Sequence, residues 1–334
     1  MLGRGMGNWS RRRVLAIGGA VLAGPVACPT VLRAEPLRLR IGHALPVTHP
    51  VHPSLQHFVD VVREKSGGAI DIAIFPDGQI GQEVNLLAQL KAGKLDFAKV
   101  SASVLERDAP AYRVFSLPFV FRDHAHWQTV TTNGIGDGIL ASGSSAGLVG
   151  LTYYDAGSRS FYGHRPINHP DDLKGLKIRI QPSPTMVQMM RLFGAEGVEM
   201  AWDLVFTALS SRLVDGAENS IVALIVGRHG EVVSNYSLDE HTMVPDVFLM
   251  SAARWSTMTS LQQTMIREAA LASYDRMNVL WADFQTKARV GVERMGVTFT
   301  QPDKRPFIER AAPLLAEFAN DRPLRDLIGR IAQS

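Results

Sequence analysis

A single cysteine, Cys28, occurs in 334 residues. From residue 35 onward there is none, which excludes disulfides, thiolate nucleophiles and cysteine-ligated metals there. Long apolar runs are missing too: the stretch 14–27 is shorter than the ~20 residues a membrane-crossing helix requires. Phosphate-cradling glycine motifs are also lacking. "NGIGDGIL" (133–140) spaces its glycines as neither a P-loop nor G-x-G-x-x-G, within a helix-like pattern. The histidines at 49 and 52, and at 124 and 126, find no third ligand at a matching spacing. No metal and no cofactor is expected.

An excess of basic charge looks present, with a pI near 9.1 and a net charge of +3, but it is local. Residues 1–34 hold Arg4, Arg11, Arg12, Arg13 and Arg33 and no acid, so the remaining chain falls from +3 to −2. Nucleic acid is therefore dropped as a partner. The same 34 residues have the order of an export signal: basic start, apolar run, then "LRA" before Glu35. "SRRRVL" (10–15) resembles the twin-arginine type, used for export to the periplasm of proteins already folded. Cleavage after Ala34 is the reading taken. Lipid attachment at Cys28 is the alternative, although Pro25 stands where a lipoprotein box usually has leucine.

What remains is globular in composition, 46% hydrophobic and 20% charged, and long enough for two domains. Residues 37–44 alternate as a strand, residues 55–62 follow at helical spacing, and 69–75 alternate again. A helix ending at Gly93 and a strand at 95–100 complete a parallel α/β unit. A second unit begins with a strand at 147–154, with Arg159 just beyond it. "KIRI" (177–180) carries Arg179 on the side away from the apolar face, and Pro182 and Pro184 stop it. Residues 241–253 form a long extended run, enough to cross between domains. Residues 260–295 read as one helix, ~50 Å long at 1.5 Å per residue.

Ligands of open α/β sheets gather beyond the carboxyl ends of the strands, which is where His43, Glu83 and Ser101 fall. Arg159 and Arg179 end neighbouring strands, and Asn219 follows a turn at Asp215-Gly216. A guanidinium can hold a carboxylate through two parallel hydrogen bonds, and an asparagine beside it can brace the guanidinium or add a donor. Pairing of the arginines with Asp171, Asp172 or Glu218 is the competing reading. "GSSAG" (143–147) fits the G-x-S-x-G pattern of a hydrolase, with Ser145 as nucleophile, but that elbow needs a strand before the serine and a helix after it. The order here is reversed.

"GSRSFYGHRPINHPDDLKGLKIRIQPSP" with "TALSSRLVDGAENS" resembles the DctP-type solute-binding subunits of tripartite ATP-independent periplasmic (TRAP) transporters. "FPDGQIGQEVNLLAQLKAGKLDF" (75–97), "FSLPFVF" (115–121) and "MGVTFTQPD" (295–303) extend the likeness over nearly the whole chain after residue 34. The resemblance implies two α/β domains around a ligand cleft, with crossing strands and a long helix spanning both. Their expected limits are 35–157 with 244–284, and 158–243 with 285–334. It implies no reaction: a small organic acid is enclosed and passed to membrane subunits. A periplasmic ligand sensor would look the same in sequence, and an exported serine hydrolase is the alternative from another class. Arg179 is the implied carboxylate partner, Arg159 a second cation, Asn219 their neighbour, and Trp202 an aromatic lining the cleft.

Departures from the family pattern also carry expectations. Asp203 is one position off the usual acid, and Arg212 and Ser220 replace the family's glycine and proline. Ala44 and Ser101 are uncharged where many members line the first domain's side of the cleft. With Trp202 present, these changes lead to the expectation of a compact or partly apolar carboxylate in preference to a sugar acid.

Overall fold

The computed structural model describes residues 35–334. The expected export signal, with Cys28 and the expected cleavage point after Ala34, lies outside the described residues. Eleven strands follow in chain order among the described residues: β1 (Leu37–Gly42), β2 (Ile70–Phe75), β3 (Phe97–Ser101), β4 (Leu148–Tyr154), β5 (Arg159–Gly163), β6 (Lys177–Ile180), β7 (Glu196–Glu199), β8 (Gly216–Asn219), β9 (Asn235–Thr242), β10 (Asp246–Ser251) and β11 (Thr298–Thr300). They form two sheets, β2-β1-β3-β10-β4 and β11-β9-β5-β8-β6-β7. Each sheet is the centre of one lobe.

In the first lobe β1, β2 and β3 are parallel, and β10 runs antiparallel between β3 and β4. The connection from β1 to β2 is the helix Val51–Lys65, whose Val51, Leu55, Phe58, Val59 and Val62 recur at helical spacing and are buried. Phe58 packs edge-on against Phe97 and Phe248, with ring centroids 5.4 and 4.8 Å apart. It joins the helix to the two central strands, a packing of the kind that contributes about 1.5–3 kcal/mol per large apolar side chain.

The second lobe has a mixed sheet: β6 is parallel to β7 and β8, while β5 is antiparallel to β8 and β9. Arg159, read from sequence as lying just past a strand, is in fact the first residue of β5. The extended run 241–253 is likewise two strands. β9 ends at Thr242 in one sheet and β10 starts at Asp246 in the other. Pro245 interrupts them, since it has no N–H to donate to a ladder.

The helix Ser260–Arg294 is continuous over 35 residues and opens with a capping box between Thr259 and Gln262. It packs against the helix Val51–Lys65, against β4 of the first lobe and against the helix Val222–Val226 of the second. Where the chain passes from β4 to β5, Gly157 takes φ +73°, and a Cβ there would lie 2.9 Å from Gln285 Nε2 and 3.3 Å from Trp281 Cζ2. Both the left-handed backbone and the close approach of the helix require glycine at that point. No helix among the described residues is long and apolar enough to cross a membrane.

Candidate functional site

The carboxyl ends of β1, β3, β6, β7 and β8 converge on a cavity of about 140 Å³ between the lobes. Glu83, Ser101, Arg159, Arg179, Trp202 and Asn219 all line it. Glu83 opens the helix Glu83–Lys91, where the helix dipole favours an anion, and Ser101 closes β3. Trp202 is half-buried in the turn after β7.

Arg179 is only 2% exposed. Strand alternation placed it away from the apolar face, and the structure shows that this side is buried and lines the cavity. Its Nε and Nη2 donate to the carbonyl of Met200 at 3.1 and 2.7 Å. Its Nη1 is buried and has no partner among the described residues. An unpaired donor on a buried guanidinium is costly unless something else accepts from it.

Arg159 is different. Its Nε and Nη2 grip both carboxylate oxygens of Glu218 at 2.6 and 2.8 Å, and Nη2 also donates to the Glu218 carbonyl. Of the carboxylates weighed from sequence, Glu218 is thus the partner, buried and not on the surface. Burial pushes the Glu218 carboxyl up, but Arg159 and His241 outweigh it and hold the group at about 2. His241 lies between Glu218 and Asp239, 2.7 Å from Asp239 Oδ2. Burial opposes its protonation, and the two carboxylates overcome this and raise it to about 9. Arg159 Nη1 donates to Asn219 Oδ1 at 3.0 Å, and Oδ1 also accepts from Ser220 N. With the amide oxygen so fixed, Asn219 Nδ2 is a donor with no partner among the described residues.

The first lobe contributes groups that sequence reasoning missed. Lys99, fully buried on β3, places Nζ 2.9 Å from both Glu83 Oε1 and Asp246 Oδ1. Burial works against the charged lysine, and the two carboxylates reverse this and raise its pKa. A lysine in the apolar stretch "LDFAKV" was the visible sign that a carboxylate had to be near. Gln181, just past β6, receives the hydroxyls of Ser101 and Ser103 at 3.2 and 3.1 Å and so links the lobes. Trp281 reaches the cavity from the long helix, and its buried Nε1 has no partner among the described residues. His49, Asn85 and Asp246 complete a wall more polar than Ala44 and Ser101 alone implied.

His49 is buried, where burial and then Lys99 hold it well below its ordinary pKa, and its Nδ1 accepts from Val51 N at 3.2 Å. It caps a helix start. His43 and His52 bond each other at 3.1 Å, and no group of three metal-binding side chains occurs among the described residues. Ser145 is exposed in the turn Gly143–Ala146, after a helix and before β4, so the arrangement of a nucleophile elbow is absent from it.

Two lobes closing on buried, underused guanidinium and amide donors are what a carboxylate receptor needs. The profile of "Bacterial extracellular solute-binding protein, family 7" (DctP) matches residues 41–321. The chain belongs to the DctP family of TRAP solute-binding proteins. Among its relatives, YiiZ of Salmonella typhimurium is 36% identical over 88% of this chain and 90% of its own. The TRAP periplasmic solute-binding protein of Xanthobacter autotrophicus Py2, solved with bound β-D-galacturonate, is 40% identical. It covers 89% of this chain and 99% of its own with a TM-score of 0.86. That of Anaerococcus prevotii, solved with D-glucuronate, is 33% identical, covering 89% and 98%, also with a TM-score of 0.86. The DctP assignment makes solute capture the function and leaves the hydrolase alternative without support.

Proposed function

We propose that this DctP-family protein captures a hexuronate, such as galacturonate or glucuronate, in the periplasm and delivers it to the membrane subunits of a TRAP transporter. The observation that carries the reading is the buried, unpartnered Nη1 of Arg179 beside the free amide of Asn219. A ligand carboxylate accepts from both. Arg159 is already neutralised by Glu218, so its role is to hold Asn219 in orientation and not to meet the ligand as a second cation.

This reading replaces the compact, partly apolar acid expected from sequence. Lys99, Asp246, Gln181, Asn85 and His49 supply the polar groups that positions 44 and 101 lack, and the uronate-bound relatives point the same way. Trp202 offers an apolar face to the sugar ring. The moving units are residues 35–157 with 244–284 and 158–243 with 285–334, except that the helix Arg322–Ala332 packs on Pro110–Ser116 and Gly134–Ser142 of the first and travels with it. A ligand that bridges them binds the closed form better and shifts the population toward it.

Calorimetric titration with galacturonate and glucuronate tests the proposal. Wild-type protein should bind at least one, Arg179→Ala should lose binding, and Arg179→Lys should weaken it because a point charge replaces a planar fork. Wild-type affinity in Arg179→Ala would overturn the assignment of the carboxylate site.

A further inference from the structure

The charges around the cavity are unevenly shared between the lobes. On the second lobe Arg159 is matched by Glu218, which leaves Arg179 as the uncompensated cation among the lining residues. On the first lobe one lysine faces two carboxylates, Glu83 and Asp246, at 2.9 Å each. His49, buried and neutral, adds no charge to that wall. Lys99 engages Oε1 of Glu83 and Oδ1 of Asp246, so Oε2 and Oδ2 remain acceptors with no hydrogen bond among the described residues. Carboxylate oxygens only accept. They suit ligand hydroxyls and repel a second ligand carboxylate.

We propose that the Glu83–Lys99–Asp246 triad is the specificity wall of the site: it reads ligand hydroxyls and bars dianions. The inference rests on the uronate reading and sharpens it. The cavity takes an acid with one carboxylate at one end and hydroxyls at the other. It rejects the diacid of the same carbon skeleton, in which the far end is oxidised to a second carboxylate. Like charges brought together in a desolvated site are a strong device against the wrong partner. Dicarboxylate binding, which relatives such as the C4-dicarboxylate-binding protein DctP of Rhodobacter capsulatus are named for, is then closed to this chain.

The test is a paired titration with galacturonate and galactarate at neutral pH. In wild-type protein galactarate should bind at least about 30-fold more weakly, a discrimination within reach of charge repulsion. Glu83→Gln leaves Lys99 paired with Asp246 alone and makes the wall neutral. It should weaken galacturonate, tighten galactarate and shrink their ratio by more than about tenfold. Asp246→Asn should act in the same direction, and it serves if the ligand-free melting curve shows Glu83→Gln to be unfolded. Galactarate binding within about threefold of galacturonate in wild type, or equal losses for both ligands in the variants, would overturn the proposal. If wild type binds no uronate, the ligand reading fails on its own. The charge rule is then read from lactate against succinate, and a diacid bound as tightly as the monoacid overturns it.

Discussion

Arg159, Glu218, His241 and Asp239 form a buried chain of alternating charge directly behind the cavity, and its titration has a definite sign. His241 is raised from about 6.5 to about 9, so its contribution to stability is complete below about 6.5 and is lost as the pH rises through about 9. Glu218 is lowered to about 2, so its contribution is complete above its ordinary range and is lost as the pH falls through about 2. Urea unfolding of the ligand-free protein should therefore show stability declining between pH 6.5 and 9, and Asp239→Asn, which removes the closer carboxylate, should remove much of that slope. A flat profile in wild type would contradict this account of His241. Breaking the pair by Glu218→Ala should cost about 3–5 kcal/mol, because it leaves a buried guanidinium uncompensated. At this scale sequence reading brought the right residue types to notice but not their division of labour. Arg159 and Arg179 look alike in sequence, and only the placement of Glu218, 59 residues from Arg159, separates them.

Between elements, the parallel strands were legible because Ile70, Ile72 and Ile74 alternate, and the helix 51–65 because its apolar residues recur every three or four positions. The insertion of β10 between β3 and β4 was not legible. Its pairing with β3 joins residues about 150 apart, and no local period reports such a partner. The same holds for Lys99 and Asp246, 147 residues apart, and for Trp281, which arrives from the long helix. Two predictions belong here. Phe58→Ala should lower stability by about 3–5 kcal/mol by opening a cavity between the helix and the strands carrying Phe97 and Phe248, measured by denaturant unfolding without ligand. Trp281→Phe keeps an aromatic ring and removes the indole donor, so it should weaken uronate binding, with a lower ligand-free melting temperature from the volume lost at this buried position. An unchanged affinity would mean that the indole N–H does not meet the ligand.

For the whole molecule, a ligand held by Arg179 of one lobe and by Glu83, Asp246 and Trp281 of the other would couple its enclosure to closure of the protein. Small-angle scattering should show a smaller radius of gyration with saturating uronate than without it, and Arg179→Ala should not contract. The chain runs between the lobes through 155–158, through 243–245 and along the helix Ser260–Arg294, which touches both lobes. That helix has no proline, and its only glycine, Gly291, is near its end. Sharp bends in helices need such interruptions, so it behaves as a stiff strut, and the two short segments are left to flex. With a strut alongside two pliant straps, the lobes keep one easy mechanical freedom, a swing about a fixed axis.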